Sequence, residues 1–131
     1  MANFIVIGAG RVGSIVAGDL SNAGHNVCCV DKDRDALLNL GVEFNGQTVL
    51  GLGFDCETLE KAGVEECDTF IACTRSDNVN LMACEVAKRL YGVDRVIARL
   101  FNPVRVEVYE ELGIENICGT ELIAKEIIKI V

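Results

Sequence analysis

The chain has 131 residues, half of them apolar, with one proline, no tryptophan and a formal charge of −8. That length suits one domain spanning 1–131, enough to bury about two-thirds of its unfolded surface, and the composition excludes a disordered chain. The acidic balance repels nucleic-acid phosphates and anionic lipid, no apolar run reaches the roughly 18 residues of a membrane span, and the amino terminus enters a strand with no secretory signal before it.

Asn3–Ile7 predicts a wholly apolar strand, the pattern of one covered on both faces. Arg11–Ala23 predicts a helix with Val12, Ile15, Val16 and Leu20 on one inward stripe, ended by Gly24. A second strand follows at Asn26–Val30, then a short helix at Asp35–Asn39 stopped by Gly41. Thr48–Leu50 is a brief third strand, and Asp55 is a good N-cap for a helix running to Ala62. Thr69–Cys73 is the fourth strand, followed by a helix at Val79–Tyr91 with Leu81, Met82, Val86 and Leu90 inward. Arg95–Leu100 is a strand, Pro103 opens a helix to Leu112, Glu115–Cys118 is a sixth strand, and Thr120 caps a last helix over Glu121–Val131. Six strands alternating with helices imply an α/β fold with one parallel sheet and helices on both faces. The last helix is apolar to its end, with Ile127, Ile128, Ile130 and Val131. It either packs on its own sheet, or marks a piece cut from a longer protein, or is shared with a second subunit.

Seven cysteines occur with one histidine, His25, and no Cys-x-x-Cys pair. Paired ligand spacings for zinc are missing, so no metal is expected. The thiols lie mostly in apolar runs and read as small buried hydrophobes of a reducing, cytoplasmic compartment.

The chemistry concentrates in Gly8-Ala-Gly10-Arg-Val-Gly13, directly after the first strand. Gly8 permits the tight turn, Gly10 lets the backbone approach a pyrophosphate, and Gly13 lets the helix pack close to the strand. Arg11 and Val12 begin the helix, whose free N–H groups and dipole attract phosphates. Asp31 follows Gly8 by 23 residues, near the spacing of about 20 at which an acid takes the ribose hydroxyls. A carboxylate there repels a 2′-phosphate, so NAD(H), ATP, ADP or AMP is expected rather than NADP. With this motif after strand one, the Rossmann-type doubly wound order 3-2-1-4-5-6 is expected, with ligands at the strand C-termini. Arg75 after strand four and Arg99 near the end of strand five then join Arg11 at one edge, as a positive pocket for a polyphosphate.

These residues resemble the N-terminal nucleotide-binding domain of Trk-type potassium-transport regulators, the KTN or RCK domains. Thr74-Arg-Ser-Asp77-Asn-Val-Asn80 is similar to the family's Thr-x-x-Asp-x-x-Asn segment, and Thr58–Gly63, Ile97-Ala-Arg99 and Gly119–Ala124 also match. The resemblance implies a cytoplasmic gating domain, at the inner face of the membrane through its partner. It would bind NAD(H) or adenine nucleotides, form a homodimer or higher ring, and act on a membrane-embedded potassium channel or transporter subunit. It further implies that Gly8, Gly10, Arg11 and Gly13 hold phosphates and Asp31 the ribose, with Lys32, Thr74 and Arg99 nearby. After strand three the family has Gly-Asp-small-Ser/Thr-Asp, its first Asp helping to read adenine, where this chain has Gly51-Leu52-Gly53-Phe54-Asp55. Gly53 and Phe54 are counted in the site on that basis; either Phe54 stacks on adenine or base recognition is weaker. No counterpart of the second, C-terminal lobe of many members is seen.

The leading function is therefore a regulatory nucleotide-binding module and not an enzyme. The alternative is an NAD-dependent oxidoreductase or a fragment of one; against it, neither Tyr91 nor Tyr109 has a lysine four residues on, and His25 lies in a turn far from the strand ends. A methyltransferase-like domain would also use an acid after strand two, but arginines at the pocket favour phosphates. The glutamates 107, 110, 111, 121 and 126 read as a solvated face.

Overall fold

A computed structural model describes residues Met1–Val131. Its strands are β1 (Asn3–Ile7), β2 (Asn26–Asp31), β3 (Gln47–Leu50), β4 (Thr69–Ala72), β5 (Arg95–Leu100) and β6 (Glu115–Cys118). Its helices are α1 (Arg11–Asn22), α2 (Arg34–Leu37), α3 (Cys56–Lys61), α4 (Asp77–Tyr91), α5 (Val106–Glu111) and α6 (Gly119–Ile130). The six strands form one parallel sheet in the order β3-β2-β1-β4-β5-β6. This is the expected doubly wound arrangement, and the order reverses between β1 and β4.

Alternation along the strands divides the core between the two faces. Ile5, Ile7, Cys28, Val30, Phe70 and Ala72 point into the larger cluster, with Leu59, Ala83, Cys84, Ala87 and Tyr109. Val6, Val27 and Cys29 point the other way, against Ala17 of α1, with Phe4, Val16 and Leu20 at the rim. Central strands β1 and β4 are thus apolar after their first residue because both faces are covered.

The helices bury smaller residues than their apolar patterns predict. In α1 the buried positions are Gly13 and Ala17, while Val12 and Ile15 of the expected stripe are exposed. In α4 Asn80, Ala83, Cys84 and Ala87 are buried, Leu81 and Val86 are half-buried, and Met82 and Leu90 are exposed. The reason is closeness of approach: only small side chains fit where a helix lies almost on the sheet, so larger ones are displaced to the flanks.

Several boundaries also differ from expectation. Helix α4 begins at Asp77, not Val79, because Ser76 caps it, its hydroxyl accepting from Val79 N–H at 3.2 Å. Asp55 caps α3 as expected, accepting from Thr58 N–H at 3.0 Å and from its hydroxyl at 2.8 Å. Thr120 is not a cap: α6 starts at Gly119 directly from β6, and the Thr120 hydroxyl donates to the Phe101 carbonyl at 2.7 Å. Pro103 opens a single 3₁₀ turn before α5. No residue of α6 is buried, and Leu122, Ile123, Ile127, Ile128 and Ile130 are exposed. Packing of this helix on its own sheet is therefore overturned. No helix is long and apolar enough to cross a membrane.

Candidate functional site: a phosphate and ribose crevice

The site forms where the strand ladder runs past its strands. Gly8 N–H donates to the Val30 carbonyl at 2.7 Å, Cys73 N–H to that of Ile7 at 2.7 Å, and Gly51 N–H to that of Asp31 at 2.9 Å. These bonds align the loops after β1, β2, β3 and β4 along one edge. Gly8 has φ +100°, and a Cβ there would press on the Cys73 and Thr74 backbone at 3.1 Å. A Cβ on Gly13 would overlap the Gly8 carbonyl, so this glycine is what lets α1 reach the turn. Gly10 is different: it is exposed, and a Cβ there would meet nothing within 4 Å. Its bareness leaves room at the α1 N-terminus for something outside the chain.

That N-terminus is open. Gly10 is the N-cap of α1, and no side chain caps the helix. The first N–H groups of α1 therefore face solvent with the dipole's positive end, a ready anion site. Asp31 is half-buried beside it. One carboxylate oxygen accepts from Ala9 N–H at 2.8 Å and the other from Asp33 N–H at 2.8 Å. The acid thus braces the glycine turn, and its remaining lone pairs stay available to hydroxyl donors. Asn39 completes the brace, its Nδ2 donating to the Ala9 carbonyl at 2.9 Å. Sequence reasoning missed Asn39; no spacing rule links a residue of the 3₁₀ turn Leu38–Leu40 after α2 to the glycine turn.

Four cations belong to the C-terminal edge of the sheet: Arg11 opens α1, Lys32 follows β2, Arg75 follows β4 and Arg99 lies near the end of β5. Arg11, Lys32 and Arg75 are exposed, Arg99 is half-buried, and none of the four makes an ion pair. The Arg99 guanidinium lies over the Phe101 ring, 4.4 Å from its centroid. Ala72 pairs with Ala98 between β4 and β5, so Arg99 follows in register beside Cys73, the residue packed next to Gly8 and Gly13; burial raises the Cys73 thiol and the Arg99 charge partly offsets this. Thr74 is held by buried Asn80, whose Oδ1 accepts from its N–H at 2.9 Å and its hydroxyl at 2.7 Å. Gly53 is buried against Ile7, with no space for a Cβ. Phe54 is half-buried against the larger core cluster, so its ring supports the loop from inside. Leu52 is exposed on that loop. The geometry therefore brings together Gly8, Gly10, Arg11, Val12, Gly13, Asp31 and Thr74 at one edge and draws Phe54 inward.

His25 lies elsewhere. Its Nδ1 accepts from Ala2 N–H at 3.0 Å, and its ring meets Phe4 edge-on at 5.0 Å, at the N-terminal end of the strands. A cavity of about 560 Å³ lies at that same end and is lined by His25, Asn26 and Asn45 among others, not by the glycine turn.

A doubly wound sheet with a braced glycine turn, an uncapped helix and a ribose-spaced acid defines a nucleotide-binding domain of Rossmann type. The profile of the TrkA-N domain family matches residues 4–120, and the chain belongs to that family. It is 39% identical over 127 residues to the Trk system potassium uptake protein TrkA of Streptomyces coelicolor, covering 97% of this chain and 57% of that protein. The chain thus spans little more than half the length of that relative. Among solved structures, the TrkA-N domain of the Escherichia coli inner membrane protein ybaL superposes with a TM-score of 0.85 at 19% identity, over 100% of this chain and 98% of that one. The Shewanella denitrificans Kef C-terminal domain in its AMP-bound form gives 0.83 at 21%, over 95% and 76%. The GsuK channel bound to NAD gives 0.75 at 21%, over 88% and 21%.

Proposed function

We propose that this chain is the nucleotide-sensing part of a potassium-transport regulator on the cytoplasmic face of the membrane. One observation carries the reading: the uncapped N-terminus of α1 opens beside bare Gly10, at the sheet edge to which Arg11, Arg75 and Arg99, none of them in an ion pair, belong. The phosphates of an adenine nucleotide would take the N–H groups of Arg11, Val12 and Gly13 and the side chains of Arg11, Arg75 and Arg99. Asp31 would accept the ribose hydroxyls and repel a 2′-phosphate, which selects NAD(H), ATP, ADP or AMP. Lys32 and Thr74 would flank the ligand. The names of the relatives support the reading, as a potassium uptake protein, an AMP-bound domain and an NAD-bound channel.

The role is binding and not catalysis. His25 is engaged with the Ala2 N–H at the far end of the sheet, and the Tyr91 hydroxyl donates to Glu60 at 2.7 Å. Neither stands at the crevice to move a proton. The ligand would act by favouring one arrangement of an assembly over another, in proportion to its differential affinity. The exposed apolar face of α6 would pair with a second copy of the chain, making a homodimer or a ring that contacts a channel or transporter subunit.

A thermal-shift panel of NAD, NADH, ATP, ADP, AMP and adenosylmethionine tests the reading. A true ligand stabilises by about 2.7 kcal/mol at a hundredfold excess over its Kd. Arg11→Glu should abolish that shift while leaving the unliganded midpoint unchanged. Stabilisation by adenosylmethionine alone would refute nucleotide sensing.

A further inference from the structure

Residues 74–80 carry two side chains whose bonds go to the neighbouring strand end as well as to their own turn. Asn80 is 0% exposed, and all of its amide capacity is used. Besides accepting twice from Thr74, it donates through Nδ2 to the carbonyls of Thr74 at 3.1 Å and of Arg99 at 2.8 Å. Asp77, in the first turn of α4, accepts from Phe101 N–H at 2.8 Å through one oxygen and from Asn102 N–H at 3.0 Å through the other. The Tyr109 hydroxyl donates to the Asp77 carbonyl at 2.7 Å and ties α5 to the same point.

The main chain on both sides of Leu100 is therefore held from α4. The Thr120 hydroxyl holds the Phe101 carbonyl from α6, and the segment from Phe101 to Val104 is otherwise exposed, so the Phe101 N–H is fixed by Asp77. Arg99 is a long flexible side chain, and its resting place is the Phe101 ring. An acid in a first helical turn serves the helix dipole wherever it points. Here both of its oxygens are committed to the backbone that carries the ring.

We propose that Asp77 is a positioning residue for Arg99: by fixing the backbone of Phe101 it fixes the ring on which the guanidinium rests, and so aims that charge at the glycine turn. This rests on the crevice being an adenine-nucleotide site.

The test is a double-mutant cycle read by calorimetry with ADP on the 131-residue chain: wild type, Asp77→Ala, Arg99→Gln and the double variant. Coupled neighbours show interaction energies that correspond here to about a tenfold change in affinity. Asp77→Ala should weaken ADP about tenfold when Arg99 is present and leave it unchanged in the Arg99→Gln background. Equal losses in both backgrounds would overturn the proposal, since a fold or dipole effect does not depend on Arg99. Failure of the wild type to bind ADP or any other nucleotide would instead refute the sensing reading. In that event ligand-free ¹⁵N NMR decides: Asp77→Ala should shift the Arg99 Nε–H resonance out of the influence of the Phe101 ring, and an unmoved resonance overturns the proposal. If Asp77→Ala does not fold, Asp77→Asn, which keeps one acceptor, carries the same comparisons with a smaller effect.

Discussion

Gly13 and Gly10 belong to the same motif, yet the structure assigns them opposite costs on substitution. A methyl group at Gly13 would overlap the carbonyl of Gly8, which is main chain and cannot rotate away. That carbonyl is held in place, because Gly8 N–H is bonded to the Val30 carbonyl at 2.7 Å, its φ is +100°, and the Cys29 thiol donates to the Gly8 oxygen at 3.8 Å. Gly13→Ala must therefore push α1 off the sheet, which costs about 3 kcal/mol, the upper end for overpacking a core. Unfolding entropy scales to about 0.28 kcal/mol/K for a chain of this size, so the thermal midpoint should fall by about 11 °C. Gly10→Ala meets nothing within 4 Å, and its φ of −72° and ψ of −161° suit alanine. Its loss of N-cap preference and its gain from a stiffer unfolded chain are each about 0.5 kcal/mol and offset one another. The midpoint should stay within about 2 °C of wild type, while stabilisation by ADP or NAD should vanish, because the methyl occupies the phosphate approach. Differential scanning calorimetry with and without nucleotide reads both. A Gly13→Ala midpoint equal to wild type, or a Gly10→Ala protein that still responds to nucleotide, would refute the division between a packing glycine and a ligand glycine.

Three further outcomes follow from the same geometry. Cys56 is the one fully exposed thiol, so a disulfide-exchange reagent at pH 8 should titrate one of the seven cysteines quickly and the others only on unfolding. Burial pushes Cys28 and Cys67 up to about 11 and Cys29 and Cys84 up to about 12 from the ordinary 9.0. The folded state then keeps protons that the unfolded chain releases, so stability is full below about pH 9 and is lost as pH rises from there towards 11–12; a urea midpoint that stays flat up to about pH 10.5 would contradict this. Ile123→Glu with Ile127→Glu should leave the thermal midpoint of the monomer unchanged, since neither residue is buried, and should abolish self-association in sedimentation equilibrium.

Read from residues alone, the glycine turn, the acid at position 31, the alternation of strands and helices and even the strand order were legible. Each rests on local rules: where a chain needs φ above zero, where a helix must begin, and how parallel strands must be connected. The chain by itself also determined which end of the sheet carries the cations, because strand C-termini share one edge once the sheet is parallel.

Tertiary structure decided what lies against what. Val12, Ile15, Met82 and Leu90 read as core from their spacing, but the close helix–sheet approach buries Gly13, Ala17, Asn80, Ala83, Cys84 and Ala87 instead. Asn80 sits on that same buried face of α4, an amide at i before small residues at i+3, i+4 and i+7. That pattern is visible in sequence, yet its meaning depends on Arg99, 19 residues away, supplying the carbonyl. The ties from Asn39 to the glycine turn and from Asp77 to the end of β5 likewise join residues far apart in the chain. Their existence depends on which strands become neighbours, and long-range hydrogen bonds leave no periodic trace in a sequence. The motif at residues 8–13 thus specified an open glycine turn and helix start locally, and the packing of four loops at the sheet edge decided how rigidly that turn is held.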